Sequence, residues 1–210
     1  MLTKLLRNFN LALFAVLLFG FATTTQADTV FVVGNTHPTL ATATVNCSFT
    51  SSTVFTFTIT NTSPFAARIT GIGFDLPGAP RDGFTGSTLA AGFSFTDENQ
   101  SNVNQFPNAV LDFAFQTGNS FTGGGPGGLA AGSTATFTIT ATTGTFAGLT
   151  ADQICHSIFV RFQTVGSTGE LSDVGTPGNQ PIPEPTSMLL LGTGLVGAAA
   201  GVRRRRNLKK

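Results

Sequence analysis

Over residues 41–50, 55–60 and 134–142, apolar and polar, mostly hydroxyl-bearing, side chains alternate one for one. "ATATVNCSFT" puts Ala41, Ala43, Val45, Cys47 and Phe49 on one face and Thr42, Thr44, Asn46, Ser48 and Thr50 on the other. "VFTFTIT" sorts Phe55, Phe57 and Ile59 from Thr56, Thr58 and Thr60, and "ATFTITAT" sorts Ala135, Phe137, Ile139 and Ala141 from its threonines. Only an extended chain separates such residues onto two faces, because successive side chains of a strand point opposite ways. One face is dry and the other wet, as in antiparallel sheets covered on a single side.

Shorter strand candidates are Val30–Val33, Ile69–Phe74, Phe93–Phe95 and Val110–Phe115, with a longer one from Ile154 to Val165. "TNTSPF", "DLPGAPRDG", "TDENQSN" and "GGGPGG" supply the turns between them. No helical period stands out. The expectation is an all-β chain: an antiparallel β-sandwich, jelly-roll or Ig-like, over residues 28–166. The connections 76–91 and 96–108 are long enough for extra turns or an irregular flap. "LAAG" recurs at Leu89–Gly92 and Leu129–Gly132, which reads as reuse of small residues at strand entries. Twenty-one phenylalanines, with no tyrosine or tryptophan, must supply the core.

The ends are of a different character. "MLTKLLRN", then "LALFAVLLFGFA", then "TQAD" is the order of a secretory signal peptide, residues 1–27, cut between Ala27 and Asp28 by signal peptidase. Its apolar run of about twelve residues is short of the ~20 needed to span a bilayer. Export places the two cysteines, Cys47 and Cys155, in an oxidising compartment, where one disulfide between them is expected in preference to two buried thiols.

Charge sets limits on function. Between Asp28 and Ile182 the bases are Arg68, Arg81 and Arg161, against nine acids, which leaves about −6. Such a surface repels phosphate backbones, so no nucleic-acid partner is expected. Catalytic patterns are scarce. His37 and His156 are the only histidines. If Cys155 and His156 are strand neighbours they face apart and make no nucleophile pair. No G-x-S-x-G, H-E-x-x-H or C-x-x-C is present. "GGGPGG" at Gly123–Gly128 mimics a nucleotide loop but no helix follows it. "DENQS" at Asp97–Ser101 lacks the glycine and closing glutamate of a calcium loop. "LPGAP" at Leu76–Pro80 reads as a turn. The expectation is a non-enzymatic protein with no cofactor and no metal. A carbohydrate-binding module is the alternative, and a secreted hydrolase using Asp97, Glu98 or Asp112 the more remote one.

The closing residues carry an address. A Gly/Ser/Thr/Pro-rich spacer, 167–181, precedes the alternating prolines Pro181, Pro183 and Pro185, which favour extended geometry. Residues 187–202 are uncharged, and as a helix would measure roughly 24 Å at 1.5 Å per residue, enough for a thinned bilayer. Arg203, Arg204, Arg205 and Arg206 open a basic tail, 203–210, that belongs on the cytoplasmic side.

Pro183-Glu184-Pro185, a short glycine-bearing apolar helix and an arginine cluster, in that order, resemble a PEP-CTERM sorting domain over 182–210. The resemblance implies export in a Gram-negative bacterium that makes extracellular polysaccharide, and recognition of Pro183-Glu184-Pro185 by an exosortase. It further implies a transient anchor in the inner membrane with the C-terminus cytoplasmic. The cargo would then pass to the cell surface or polysaccharide matrix as an envelope or biofilm protein, with extracellular polysaccharide as its partner.

Overall fold

Phenylalanines at inward strand positions organise the molecule. The computed structural model describes residues 27–78, 81–97, 99–101, 103–121, 127–142, 146 and 148–178. Among the described residues eleven strands are formed in chain order: β1 Ala27–Gly34, β2 Thr42–Ser51, β3 Val54–Asn61, β4 Arg68–Phe74, β5 Phe84–Thr88, β6 Ser94–Thr96, β7 Phe113–Gln116, β8 Leu129–Ala130, β9 Thr134–Ala141, β10 Ile158–Val165 and β11 Leu171–Pro177. All pair antiparallel in one sheet of order β5-β9-β3-β2-β1-β11-β10-β4-β7-β6, with β8 beside β4. The two ends of that order meet without pairing. A Cβ added to Gly86 of β5 would run into the Phe95 ring of β6.

The expected two-sheet sandwich is thus replaced by one antiparallel sheet nearly closed into a barrel. Period-two alternation says which side of a strand is dry. It does not say whether two sheets face each other or one sheet curls onto itself. The interior is packed ring on ring. Phe57 stacks on Phe137 with centroids 5.1 Å apart, and meets Phe74 at 5.1 Å and Phe115 at 6.1 Å across the barrel. Phe115 and Phe137 close the seam at 4.8 Å. Offset and edge-on pairs of this kind add about 0.5–1.5 kcal/mol each beyond simple burial.

A second, smaller apolar layer lies outside the sheet. Val103, Ala109 and Leu111 from the segment before β7, with Phe121 after it, pack on Ala114 of β7 and Val174 of β11, and Phe106 is edge-on to Phe159 of β10 at 5.2 Å. This flap sits directly on β4 because two of its outward positions are glycine. A Cβ at Gly73 would come within 2.5 Å of Leu111, and one at Gly71 within 3.1 Å of the Phe121 ring. Of the two connections expected to hold extra turns or an irregular flap, 96–108 supplies Val103 and Phe106 to this layer, and backbone bonds join Gln100 and Leu111 in both directions at 2.9 Å.

Two further expectations are corrected. Residues 151–155, partly assigned above to a strand from Ile154, form a short helix α1, Ala151–Cys155, so β10 begins at Ile158. Thr150 and Gln153 form a reciprocal capping box, the T-x-x-Q signal that the apolar run "ICHSIFV" obscures. The segment 167–181, expected as spacer, contains β11, which lies between β1 and β10 in mid-sheet. Its composition is spacer-like for a packing reason. Gly175 lies so close to β1 that a Cβ would be 2.8 Å from the Val33 carbonyl oxygen and 3.0 Å from the Phe162 ring. The signal-peptide residues 1–26 and the expected helix 187–202 lie outside the described residues. Among those described, no helix is long and apolar enough to cross a membrane.

Candidate functional site

The groups capable of chemistry are mostly employed in holding loops. Asp112, 1 % exposed, follows the flap and accepts from the backbone N–H of Leu76 at 2.6 Å and from that of Arg81. Burial pushes its carboxyl above the usual 3.8, against the pull of those two amides. Asp173, fully buried on β11, accepts from the N–H groups of Thr36 (3.1 Å), His37 (2.6 Å) and Val174 (2.9 Å), clamping the β1–β2 connection. Asp97 accepts from Gly83 N–H at 2.9 Å and Asp75 from Val110 N–H at 3.3 Å. Glu98 lies outside the described residues. Of the carboxyls named for a hydrolase, the two described, Asp97 and Asp112, both hold backbone amides of the β4–β5 connection, at Gly83 and at Leu76 and Arg81.

The cysteines are joined. Cys47 and Cys155 form a disulfide with Cα atoms 6.0 Å apart, linking β2 to α1 and removing Cys155 as a nucleophile. His37 leans on Asp173, with Nδ1 3.4 Å from Oδ2. His156 is not a strand neighbour of Cys155 but the residue capping α1. It stands beside Asp28, the expected new N-terminus, and Asp152, a grouping not foreseen from the sequence. The i, i+4 spacing of Asp152 and His156 was its one local signal, hidden by the strand assignment. Ala27 and Asp28 open β1, opposite Ser48 and Cys47.

Arg161 is the odd cation. It is buried on the outward face of β10, and burial pulls its guanidinium below the usual arginine range against the opposing field of Asp173. Nη2 donates to Ser172 Oγ at 3.4 Å, while Nε and Nη1 have no partner.

Among the described residues, threonines form a regular outer face. Across β3 and β9 the register sets Thr56 against Thr138, Thr58 against Thr136 and Thr60 against Thr134. Thr58 and Thr136 hydroxyls lie 2.9 Å apart, and those of Thr60 and Thr134 2.8 Å. β2 extends the rows with Asn46 and Ser48, and β5 with Thr85 and Ser87. Ser87–Ala90 and Thr134–Thr136 with Thr138 border a groove of about 490 Å³ on this face. The strands that carry them stand about 4.8 Å apart, and residues of one face recur nearly every 7 Å along each strand.

Pro183, Glu184, Pro185 and Arg203–Arg206 lie outside the described residues. No curated protein and no solved structure matches the chain. Residues 181–206 match the PEP-CTERM protein-sorting motif, so the chain carries at its C-terminal end the signal that marks proteins for exosortase-dependent sorting.

Proposed function

We propose that the protein is a non-enzymatic component of the cell envelope, delivered by its C-terminal tag and resident at the cell surface or in the extracellular polysaccharide. The observation that carries this reading is the deployment of its reactive groups. Asp75, Asp97, Asp112 and Asp173 hold backbone amides, and both cysteines are bridged. Exosortase sorting to the envelope is what the PEP-CTERM motif implies. The inner membrane, with the tail on its cytoplasmic side, is the proposed stop on the way.

The threonine face favours a second reading, a carbohydrate-binding module. Its rows of hydroxyls and their groove offer hydrogen bonds to a glycan without stacking rings. Two measurements on the protein from its host separate the possibilities. Intact mass should end near Pro183–Pro185; retention of Lys210 overturns processing and leaves a plain anchor. Saturable binding to host polysaccharide, lost with Thr58→Val and Thr136→Val, supports the module. Hydrolysis of that polysaccharide would overturn the non-enzymatic assignment.

A further inference from the structure

We propose that Asp28, Asp152 and His156 form a binding site for one divalent transition cation of the zinc type. One oxygen or nitrogen from each residue lies within 4.8 Å of the other two. His156 Nδ1 is 3.3 Å from Asp152 Oδ1 and 3.6 Å from Asp28 Oδ2. Ligands at about 2.0–2.1 Å from a tetrahedral zinc stand about 3.3–3.4 Å from one another, so little movement is required.

The three residues come from two elements fastened together. Asp152 and His156 are four apart along α1 and share its face. Asp28 stands opposite Cys47 in the β1–β2 register, and Cys155 is the neighbour of His156, so the disulfide ties the strand side to the helix side. Asp28 Oδ2 is shut away from solvent and has no hydrogen-bond partner. A carboxylate oxygen in that position gains from a cation more than from anything the protein offers it. The side chains of Asp152 and His156 are more than half exposed, 56 % and 55 %, which leaves an open side for entry and for water as a fourth ligand.

Two carboxylates with a neutral imidazole carry −2, which suits a divalent ion. The imidazole discriminates among such ions, because calcium and magnesium take oxygen ligands while zinc and its neighbours accept nitrogen. Nδ1 now lies 3.0 Å from the Asp152 carbonyl oxygen, a contact that binding would replace. The site does not depend on the proposed matrix role, and its failure would leave that role untouched.

The test is titration of the full chain, without a histidine tag, in detergent and stripped by a chelator, with zinc ion alone. One equivalent per chain is expected to bind, with magnesium and calcium unable to compete. Cobalt substitution should give the visible absorption of a tetrahedral site. His156→Ala and Asp152→Asn should each weaken binding at least tenfold while melting like the parent without metal, and His37→Gln should bind as the parent does. Zinc affinity unchanged in both site variants, loss of binding in His37→Gln, or no zinc binding at all would each overturn the proposal.

Discussion

The two sides of the barrel use the same inner core but finish their outer faces in opposite ways. Along β2, β3, β9 and β5 the outer side is a field of hydroxyls open to water. Along β11, β10, β4 and β7 it is roofed by the flap, and it buries Arg161 and a second apolar cluster. Strands wet on one side need only alternate. Strands dry on both sides need something to cover them, and the cover here is irregular chain pinned by Asp112 and by Gln100. Clean periodicity therefore marks the side that faces solvent, and its loss marks the side that carries a second layer.

The bridge between the two sides should have the largest effect. Replacing Cys47 and Cys155 together by alanine is expected to cost about 4–5 kcal/mol, from the loop of over a hundred residues that they close. Denaturant midpoints with and without reductant check it; equal midpoints would mean the halves are held without the bridge. Next is the shared core. Phe57→Ala should destabilise by about 3–5 kcal/mol and unfold both sides in one transition. Two transitions would break the picture of a common interior.

The roofed side should respond to its buried charges. Asp112→Ala leaves two backbone amides without their acceptor and is expected to cost about 1–3 kcal/mol. Asp112→Asn tests the titration instead. The folded chain holds this proton to a higher pH than the unfolded one, so the contribution of Asp112 to stability is greater at acid pH. It falls as pH rises from about 3.8 through the raised folded value, then levels off. Relative to Asp112→Asn, the parent should gain stability on acidification, and parallel stability curves would count against the assignment. Arg161→Met keeps the packing and removes a poorly partnered cation, so equal or higher stability, by about 1 kcal/mol, is expected. A clear loss would show that the guanidinium is better served than its geometry indicates. The wet side should respond least. Thr58→Ala with Thr136→Ala should cost under about 1 kcal/mol by chemical denaturation.

The same contrast explains what the sequence made legible. Phe55, Phe57, Ile59, Phe137 and Ile139 were placed inward from alternation alone, and all are buried. The flap was legible only as a connection too long to be a simple turn. β11 escaped because Gly175 must be small to pass β1, and smallness there looks like a linker. The helix α1 escaped because five residues offer too little period to compete with the apolar run that follows. The Asp28–Asp152–His156 grouping needs the register of β1 on β2 and the position of the bridge, which are properties of pairing between distant segments. The sorting tag, by contrast, is linear and readable without a fold, and residues 181–206 match its motif.

The span enclosed by the bridge has a consequence for what a cut in the chain does. A single peptide bond cut anywhere between Cys47 and Cys155 leaves the two pieces covalently joined, and β1, β2, β10 and β11 still neighbours in the sheet. Nicked molecules would run as one band on a non-reducing gel and as two after reduction. The chain can be wounded over half its length and still arrive in one piece.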